Sequence, residues 1–315
     1  MDEPTRPLRL TAIRYAAAGI HLYEFADPDG RTLPAYAPGA HLDVHMPGGL
    51  MRQYSLARPW REGEGYLVGI KLDAATRGGS RFMHEGARVG QIFQVGGPRN
   101  HFPLTEDATS TVLIAGGIGV TPIWCMAQRL EELGAPFELH YAVRERADAA
   151  FIESLEQMAP KVKLHVDVEA GAVLDVAGIV ASSPEGAHLY CCGPTPMMDV
   201  FTSACSGRPA EHVHLEYFSA PPLEPIEGGF VVALKKTGQE FLVEPGSTIL
   251  ETLRAAGLTV PASCEQGVCG TCETRVLEGT PDHRDLLLTP AEKASGETMM
   301  ICCSGSLTPR LVLDL

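Results

Sequence analysis

The sequence lacks the features that place a protein in a membrane, outside the cell or on nucleic acid. Its 315 residues contain no run approaching the roughly 18 apolar residues that span a bilayer. The first ten residues, MDEPTRPLRL, do not form a secretory signal. Basic residues are few, with 25 Lys and Arg against 39 Asp and Glu and a formal net charge of -14. Because the chain has neither a secretory signal nor a bilayer-spanning run, we expect a cytoplasmic protein. Because an acidic chain repels nucleic acid and anionic membranes, we expect it to bind neither.

Several common site motifs are also missing. The eleven histidines form no H-x-x-H or H-E-x-x-H metal pattern, and no G-x-G-x-x-G dinucleotide fingerprint occurs. There is no internal repeat and no low-complexity tract. Nine cysteines are an odd number, which fits a disulfide framework poorly, and cytosolic disulfides are rare. Since several of these cysteines cluster near the end of the chain, they indicate a metal site.

Segments of different texture follow one another along the chain. The first has short alternating apolar runs such as HLDVHM and YLVGIKL, which are typical of an antiparallel β-barrel. The second alternates strand-like and helix-like runs, which predicts an α/β domain with a parallel sheet. A proline-rich linker follows, and the last segment has a helix candidate that begins at Ser247 or Thr248 and ends near Gly257. The predicted boundaries are 1–107, 108–220, 221–229 and 230–315.

The most specific motif is a set of cysteines near the C-terminus. Cys264, Cys269 and Cys272 have the spacing C-x4-C-x2-C, and Cys302 and Cys303 follow after 29 further residues. With a distant fourth cysteine, this is the plant-type ferredoxin pattern for a [2Fe–2S] cluster. A tight loop supplies three of the four thiolates that two irons need. Spacing alone does not choose between the two later cysteines. A structural zinc ion is the alternative.

A second motif, R-Q-Y-S, lies on a strand-like run of the first segment and contains Arg52, Tyr54 and Ser55. Arginine supplies a forked cation for a phosphate, tyrosine an aromatic face, and serine a short hydrogen bond. The alternative is a surface arginine beside a core tyrosine. Downstream come G-I-K, which ends at Lys71, then T-R-G-G-S and P-R-N-H-F-P-L. The G-G-S residues suit an anion site built from backbone N–H groups; they are Gly78, Gly79 and Ser80.

A third motif follows a strand-like run and opens a helix-like one, which is the context of a pyrophosphate site. It reads G-G-I-G-V-T-P and contains Gly116, Gly117, Gly119, Thr121 and Pro122. Two shorter stretches accompany it, Y-A-V-R ending at Arg144 and Y-C-C-G-P with Cys192, Gly193 and Pro194. The alternative for Cys192 is a buried core thiol.

In this order, with H-R-D at 283–285 and the tail MICCSGS, the motifs resemble the phthalate dioxygenase reductase and vanillate demethylase reductase family. The resemblance covers nearly the whole chain and implies a multidomain protein. Its parts would be an antiparallel β-barrel for the flavin, an α/β parallel-sheet nicotinamide domain, and an α+β ferredoxin domain of the β-grasp type. The flavin would be FMN, because the family binds the terminal flavin phosphate at the G-G-S turn.

The resemblance also assigns residues. It implies Cys302 as the fourth cluster ligand, Cys192 beside the nicotinamide and Ser55 beside the flavin, the last two as catalytic residues. Phe218, in the stretch E-Y-F, either approaches the flavin or closes the core. Glu145 lies between two arginines, and an acid there disfavours a 2'-phosphate, so we expect NADH. Apart from the four cluster cysteines, the residues named in the motifs above would bind flavin or nicotinamide.

The function that the resemblance implies is electron transfer. Electrons would pass from NADH through FMN and the [2Fe–2S] cluster to a Rieske-type non-haem iron oxygenase that acts on an aromatic compound. We expect a monomer. Two alternatives remain: a stand-alone NADH-dependent reductase of small acceptors such as quinones, and an iron–sulfur redox sensor that binds partners without turnover.

Overall fold

The computed structural model describes residues 5–74, 78–218, 226 and 229–315. The chain divides into two compact units, one that ends at Phe218 and one made of the residues that follow. The first two predicted segments therefore share one unit. The predicted linker, 221–229, lies almost entirely outside the described residues, so the predicted boundaries stay predictions. Among the described residues, no helix combines the length and apolar character needed to cross a bilayer.

Six antiparallel strands form a barrel in the first unit. They are β1 Arg6–Ala17, β2 Ile20–Ala26, β3 His41–Met46, β4 Leu50–Ser55, β5 Tyr66–Lys71 and β6 Ile92–Arg99. Their order is β4-β3-β6-β1-β2-β5, and a bridge between Leu56 and Val68 joins the two outer strands. Apolar side chains fill the interior, which confirms the predicted barrel. A short helix, α1 Gly79–Arg81, continues into a π-helical turn at Phe82–Gly86.

The turn between β3 and β4 fixes the register of the strand that carries R-Q-Y-S. Gly48 and Gly49 have φ of 79° and 76°, a region that glycine adopts without steric cost. The turn pairs Val44 with Arg52 and His41 with Ser55. Because side chains alternate along a strand, a slip of one residue would move every one of them to the other face.

Five parallel strands and five helices complete the first unit. The strands are β7 Thr111–Gly116, β8 Phe137–Val143, β9 Val162–Val166, β10 His188–Cys192 and β11 Val213–Leu215, in the order β11-β10-β7-β8-β9. The helices are α2 Val120–Leu133, α3 Ile152–Gln157, α4 Asp167–Ala170, α5 Val176–Ser182 and α6 Thr195–Ala204. Apolar clusters cover both faces of the sheet, so TVLIAG is buried along its whole length. The predicted parallel α/β fold is confirmed.

The second unit contains a mixed five-stranded sheet and a two-stranded one. Its strands are β12 Phe230–Leu234, β13 Glu240–Val243, β14 Glu273–Glu278, β15 Pro281–Asp282, β16 Thr298–Met300, β17 Gly305–Ser306 and β18 Arg310–Leu313. The larger sheet has the order β13-β12-β18-β14-β16, with β12 and β18 parallel. Two helices, α7 Ile249–Ala255 and α8 Pro290–Ser295, pack with it. This arrangement agrees with the predicted α+β ferredoxin domain.

Both helices of this unit begin at a capping box. Thr248 accepts a hydrogen bond from the backbone N–H of Glu251 at 3.1 Å, and the glutamate reaches back to the threonine N–H at 2.9 Å. Thr289 and Glu292 repeat the arrangement at the start of α8. Reciprocal caps of this kind satisfy two otherwise unpaired donors. Of the two predicted helix starts, Ser247 and Thr248, the structure selects Thr248.

Candidate functional site

Arg52 and the G-G-S turn lie together, as their predicted shared role requires. The Arg52 side chain packs so closely on Gly79 that a Cβ there would lie 2.6 Å from Arg52 Cγ. Gly78 has a φ of 96°, and Ser80 accepts a hydrogen bond from the N–H of Asp73 at 3.2 Å. A cation beside glycine amides suits a phosphate. Thr76 and Arg77 of the same motif lie outside the described residues.

The neighbouring residues of β4 offer contacts for a ring. The Tyr54 hydroxyl is buried and makes no hydrogen bond within the described part of the chain, and burial raises its pKa. Since buried polar groups are usually paired, this hydroxyl suits a bound polar ligand such as a flavin. Ser55 donates a hydrogen bond to a carboxylate oxygen of Glu216 at 3.4 Å. Lys71 lies exposed at the end of β5.

Glu216 is the site residue that sequence reasoning missed. It follows β11, and its N–H donates to the Cys191 carbonyl at 3.2 Å. Burial raises the pKa of its carboxyl to about 8, and the Ser55 hydrogen bond acts in the opposite direction. Cys192 is buried, and its pKa is raised by burial and next by the charge of Glu216. The structure thus brings Ser55, Cys192 and Glu216 together. The sequence signal that points to Glu216 is the E-Y-F stretch, in which this acid precedes two aromatic residues.

The glycine motif and the C-G-P motif pack directly on each other. They follow the adjacent strands β7 and β10, whose carboxyl ends meet at one edge of the sheet. A Cβ on Gly119 would lie 2.2 Å from the Cys192 carbonyl oxygen, and one on Gly193 would lie 3.2 Å from the Gly116 backbone. A Cβ on Gly116 would meet Pro194 at 2.6 Å. Only glycines allow this approach.

The remaining residues of the glycine motif divide into an open part and a packed part. Nothing lies within 4 Å of a Cβ built on Gly117, so its backbone is accessible to a ligand. Thr121 and Pro122 are buried in the first turn of α2. The Thr121 hydroxyl donates to the Ile118 carbonyl at 3.0 Å, and its methyl group fits against Gly69 of β5. Thr121 therefore packs the glycine motif after β7 against strand β5 of the barrel.

Arg144 is exposed directly after β8, the strand next to β7 in the sheet. Glu145 forms a capping box with Asp148, and Arg146 makes a bidentate ion pair with Glu169 at 2.7 and 2.9 Å. Arg146 is therefore already engaged by an acid, which agrees with the predicted preference for NADH without testing it. Phe218 ends the first unit with 42% of its surface exposed.

Substituting Gly119 with alanine is expected to disturb this packing. The added Cβ must displace the Cys192 backbone, and overpacking of this kind costs about 1–3 kcal/mol. Displacement by about 1 Å can slow a reaction by up to about 100-fold, so reduction by NADH should slow by at least about tenfold. The rate at which NADH bleaches the visible absorbance in a stopped-flow experiment measures the slower reduction, and the melting temperature measures the loss of stability. Gly186→Ala is the control, because nothing lies within 4 Å of its Cβ; equal rates for the two variants would contradict the packing argument.

Glu216 is expected to make stability depend on pH. Its folded pKa of about 8 lies above its ordinary value of 4.5, so the folded protein keeps a proton that the unfolded chain releases. Stability should therefore be unaffected below about pH 4.5, fall as pH rises from there to about 8, and then level off. Thermal melts of wild type and Glu216→Gln should diverge across this window. A constant difference, as expected for the exposed control Glu185→Gln, would contradict the assignment.

In the second unit the thiols of the cysteine loop lie within hydrogen-bond contact of one another. Cys264 contacts Cys269, and Cys272 contacts Cys302; Cys302 also contacts Cys264. The Cys303 thiol is also in hydrogen-bond contact with Cys302, and it donates toward the Met300 carbonyl oxygen at 3.6 Å. Cys302 contacts both Cys264 and Cys272, which favours it over Cys303 as the fourth ligand.

The thiol contacts of the cysteine loop also shift pKa values. The hydrogen bond with Cys264 raises the pKa of the Cys269 thiol, the hydrogen bond with Cys302 raises the pKa of the Cys272 thiol, and burial acts in the same direction on both. A [2Fe–2S] cluster takes four thiolates in two pairs, and the contacts of Cys264 with Cys269 and of Cys272 with Cys302 are compatible with such a set.

Comparisons with other proteins identify both halves of the chain. A family model described as the 2Fe-2S iron-sulfur cluster binding domain matches residues 232–305, and one described as the oxidoreductase NAD-binding domain matches residues 113–203. Phenoxybenzoate dioxygenase subunit beta of Ectopseudomonas oleovorans is 50% identical over 98% of this chain and 97% of its own length. Tetrachlorobenzoquinone reductase of Sphingobium chlorophenolicum is 48% identical over 99% and 98%. Vanillate O-demethylase oxidoreductase of Pseudomonas sp. (strain HR199 / DSM 7063) is 45% identical over 97% and 98%.

Two solved structures share the fold over almost the whole chain. Phthalate dioxygenase reductase is 36% identical with a TM-score of 0.75, covering 99% of this chain and 98% of that one. An intact type IV self-sufficient cytochrome P450 monooxygenase is 38% identical with a TM-score of 0.88, covering 99% of this chain. The present chain spans only 41% of that longer protein.

Proposed function

The chain belongs to the phthalate dioxygenase reductase and vanillate O-demethylase oxidoreductase family, and on that premise we propose what it does. It takes electrons from NADH and passes them through FMN and a [2Fe–2S] cluster to a Rieske-type oxygenase of an aromatic compound. The observation that carries the proposal is the joint presence of two sites in one chain. One is the edge where Ser55, Glu216 and Cys192 meet; the other is the paired thiols of the second unit.

The chain's own residues bind and orient the reactants. Arg52 with the G-G-S turn would hold the FMN phosphate, and the unpaired Tyr54 hydroxyl would bind elsewhere on the flavin. The backbone of Gly117 would receive the NADH pyrophosphate at the start of α2. When bound, flavin and cluster supply hydride acceptance and single-electron transfer. Cys264, Cys269, Cys272 and Cys302 would ligate the cluster.

Glu216 holds a proton at the site proposed for the flavin and the nicotinamide. Because burial raises its pKa to about 8, its carboxyl is protonated at neutral pH. The Ser55 hydroxyl donates to a Glu216 carboxyl oxygen at 3.4 Å, and the neighbouring Cys192 is buried. A neutral, dry site of this kind avoids an extra negative charge where hydride arrives.

The choice of acceptor rests on the relatives. One of these relatives is named a dioxygenase subunit, and another is named an O-demethylase oxidoreductase. A reconstitution with a Rieske oxygenase component and its aromatic substrate tests the proposal directly. NADH consumption coupled to product formation is expected. Reduction of cytochrome c by NADH with no reduction of any oxygenase component would overturn the choice of partner.

Quinone reduction is the second candidate, because a relative 48% identical over nearly the full length is named tetrachlorobenzoquinone reductase. The two candidates differ in which cofactor serves the acceptor. A quinone can take electrons from a flavin, whereas a Rieske oxygenase needs single electrons from the cluster. A variant without the cluster should therefore keep quinone reduction and lose oxygenase reduction; competition between the two acceptors at equal concentration shows which one is preferred.

The proposal includes a monomeric, cytoplasmic protein that binds neither a membrane nor nucleic acid. None of the nine cysteines, all of which lie in the described part of the chain, forms a disulfide, which suits a reducing compartment. The formal charge of -14 disfavours contact with nucleic acid. Light scattering at micromolar concentration tests the monomer, and an observed mass of twice 33.7 kDa would contradict it.

A further inference from the structure

A carboxylate lies fully buried beside the cysteine loop. The Asp285 side chain has no exposed surface, and one of its oxygens accepts hydrogen bonds from the N–H groups of Leu287 at 3.2 Å and Leu288 at 2.8 Å. Burial of a charge is costly unless it is paired and hydrogen-bonded. The exposed side of the second unit offers ample space for an acid at no such cost. The position of Asp285 therefore calls for a functional explanation.

The segment around Asp285 holds both parts of the cluster site. The N–H of Leu286 donates to the Gly267 carbonyl in the cysteine loop at 3.0 Å. A Cβ on Gly267 would lie 2.9 Å from the Asp285 Cα and 3.1 Å from its Cβ, so the cysteine loop packs directly against Asp285. On the other side, the N–H of Arg284 donates to Ser304 Oγ at 3.2 Å, next to the segment that carries the fourth cysteine. Asp285 thus lies between the two segments that carry ligands.

One cation faces the carboxylate and offsets it only in part. Lys293 Nζ lies 3.7 Å from one Asp285 oxygen and donates to the Asp285 carbonyl. Its side chain is 31% exposed, so water screens its charge more than that of the buried acid. On the other side His283 Nδ1 lies 3.7 Å from the second oxygen. That oxygen makes no hydrogen bond to any described residue.

We propose that Asp285 and Lys293 together set the reduction potential of the [2Fe–2S] cluster. Reduction adds one electron and so one negative charge to the cluster. A buried carboxylate on a residue that packs against the loop opposes that charge and lowers the potential, while Lys293 cancels part of the effect. Both act as positioning residues rather than ligands. The inference rests on the proposed function only in requiring the cluster.

The test is the midpoint potential of the full-length holoprotein, measured at pH 8 by dithionite titration followed by EPR. Asp285→Asn keeps the shape and an acceptor oxygen but removes the charge, so the potential should move upward. Lys293→Gln removes the compensating charge, so the potential should move downward by a smaller amount. The double variant should lie between the two. Glu273→Gln is the matched control, since this exposed acid adjoins Cys272 and water screens it.

Shifts of the midpoint potential in opposite directions in Asp285→Asn and Lys293→Gln distinguish an electrostatic role from a structural one. A loosened loop would change iron content or the EPR line shape, or would move both variants in the same direction. Any of those results, or unchanged potentials in both variants, overturns the inference while leaving the proposed function intact. A wild-type protein that holds no cluster would overturn the proposed function itself and this inference with it.

Discussion

Cys302→Ala is expected to abolish reduction of one-electron protein acceptors while NADH still reduces the flavin. The variant removes one of the four proposed ligands, and changes even in the surroundings of a metal site cost about 10–100-fold. We therefore expect loss of the visible cluster bands and a fall of at least about 100-fold in cytochrome c reduction. NADH-dependent reduction of ferricyanide, which can take electrons from flavin, should persist.

Cys303→Ala is the matched control for this experiment. Its thiol contacts Cys302 and lies toward the Met300 carbonyl and against Gly267, whereas Cys302 contacts both Cys264 and Cys272. The variant should retain iron and cytochrome c reduction near wild-type values. A cluster that survives Cys302→Ala but is lost in Cys303→Ala would reverse the assignment of the fourth ligand, which spacing alone left open.

Arg52→Ala is expected to release FMN. Hydrogen bonds to charged groups contribute about 1.5–3 kcal/mol, so loss of one phosphate partner should weaken FMN binding by about 10–100-fold. Flavin content after gel filtration and fluorescence titration of the apoprotein measure the change. Arg52→Lys should fall between wild type and alanine, because lysine keeps the charge without the forked geometry.

An exposed arginine of the same barrel provides the control. Arg14 on β1 pairs with Glu24 at the surface, and exposed pairs of this kind contribute about 0–1 kcal/mol. Arg14→Ala should therefore leave FMN affinity unchanged. Equal loss of flavin in both variants would indicate general destabilisation of the barrel, and full retention in Arg52→Ala would place the phosphate elsewhere.

Much of the fold was predictable because periodicity and turn residues carry it. Alternating runs such as HLDVHM predicted barrel strands, and the continuous run TVLIAG predicted a strand covered on both faces. Thr248 and Glu251 mark the start of α7 through a local hydrogen-bond pattern that sequence can reveal. The association of barrel and α/β sheet into one compact unit was not predictable, because it depends on contacts such as Thr121 against Gly69, 52 positions apart.

The candidate sites were predictable to the extent that their chemistry is local. Glycine turns and the cysteine loop are contiguous motifs, and the structure brings their members together. Glu216 and Asp285 lie in the short stretches E-Y-F and H-R-D, whose residue types alone do not reveal a chemical role for the acid. Their importance comes from burial and from partners far along the chain, Ser55 in one case and Gly267 in the other. Thr121 is the opposite case: it belongs to a contiguous motif, but its side chain packs against Gly69 of the same chain.

The most direct test of the whole account is the visible spectrum of the purified protein before and after anaerobic addition of NADH. Flavin and iron–sulfur bands should both be present and should both bleach, which would establish a continuous path from NADH to the cluster. A protein with no flavin bands and a cluster that does not respond to NADH would contradict the account and favour an iron–sulfur sensor.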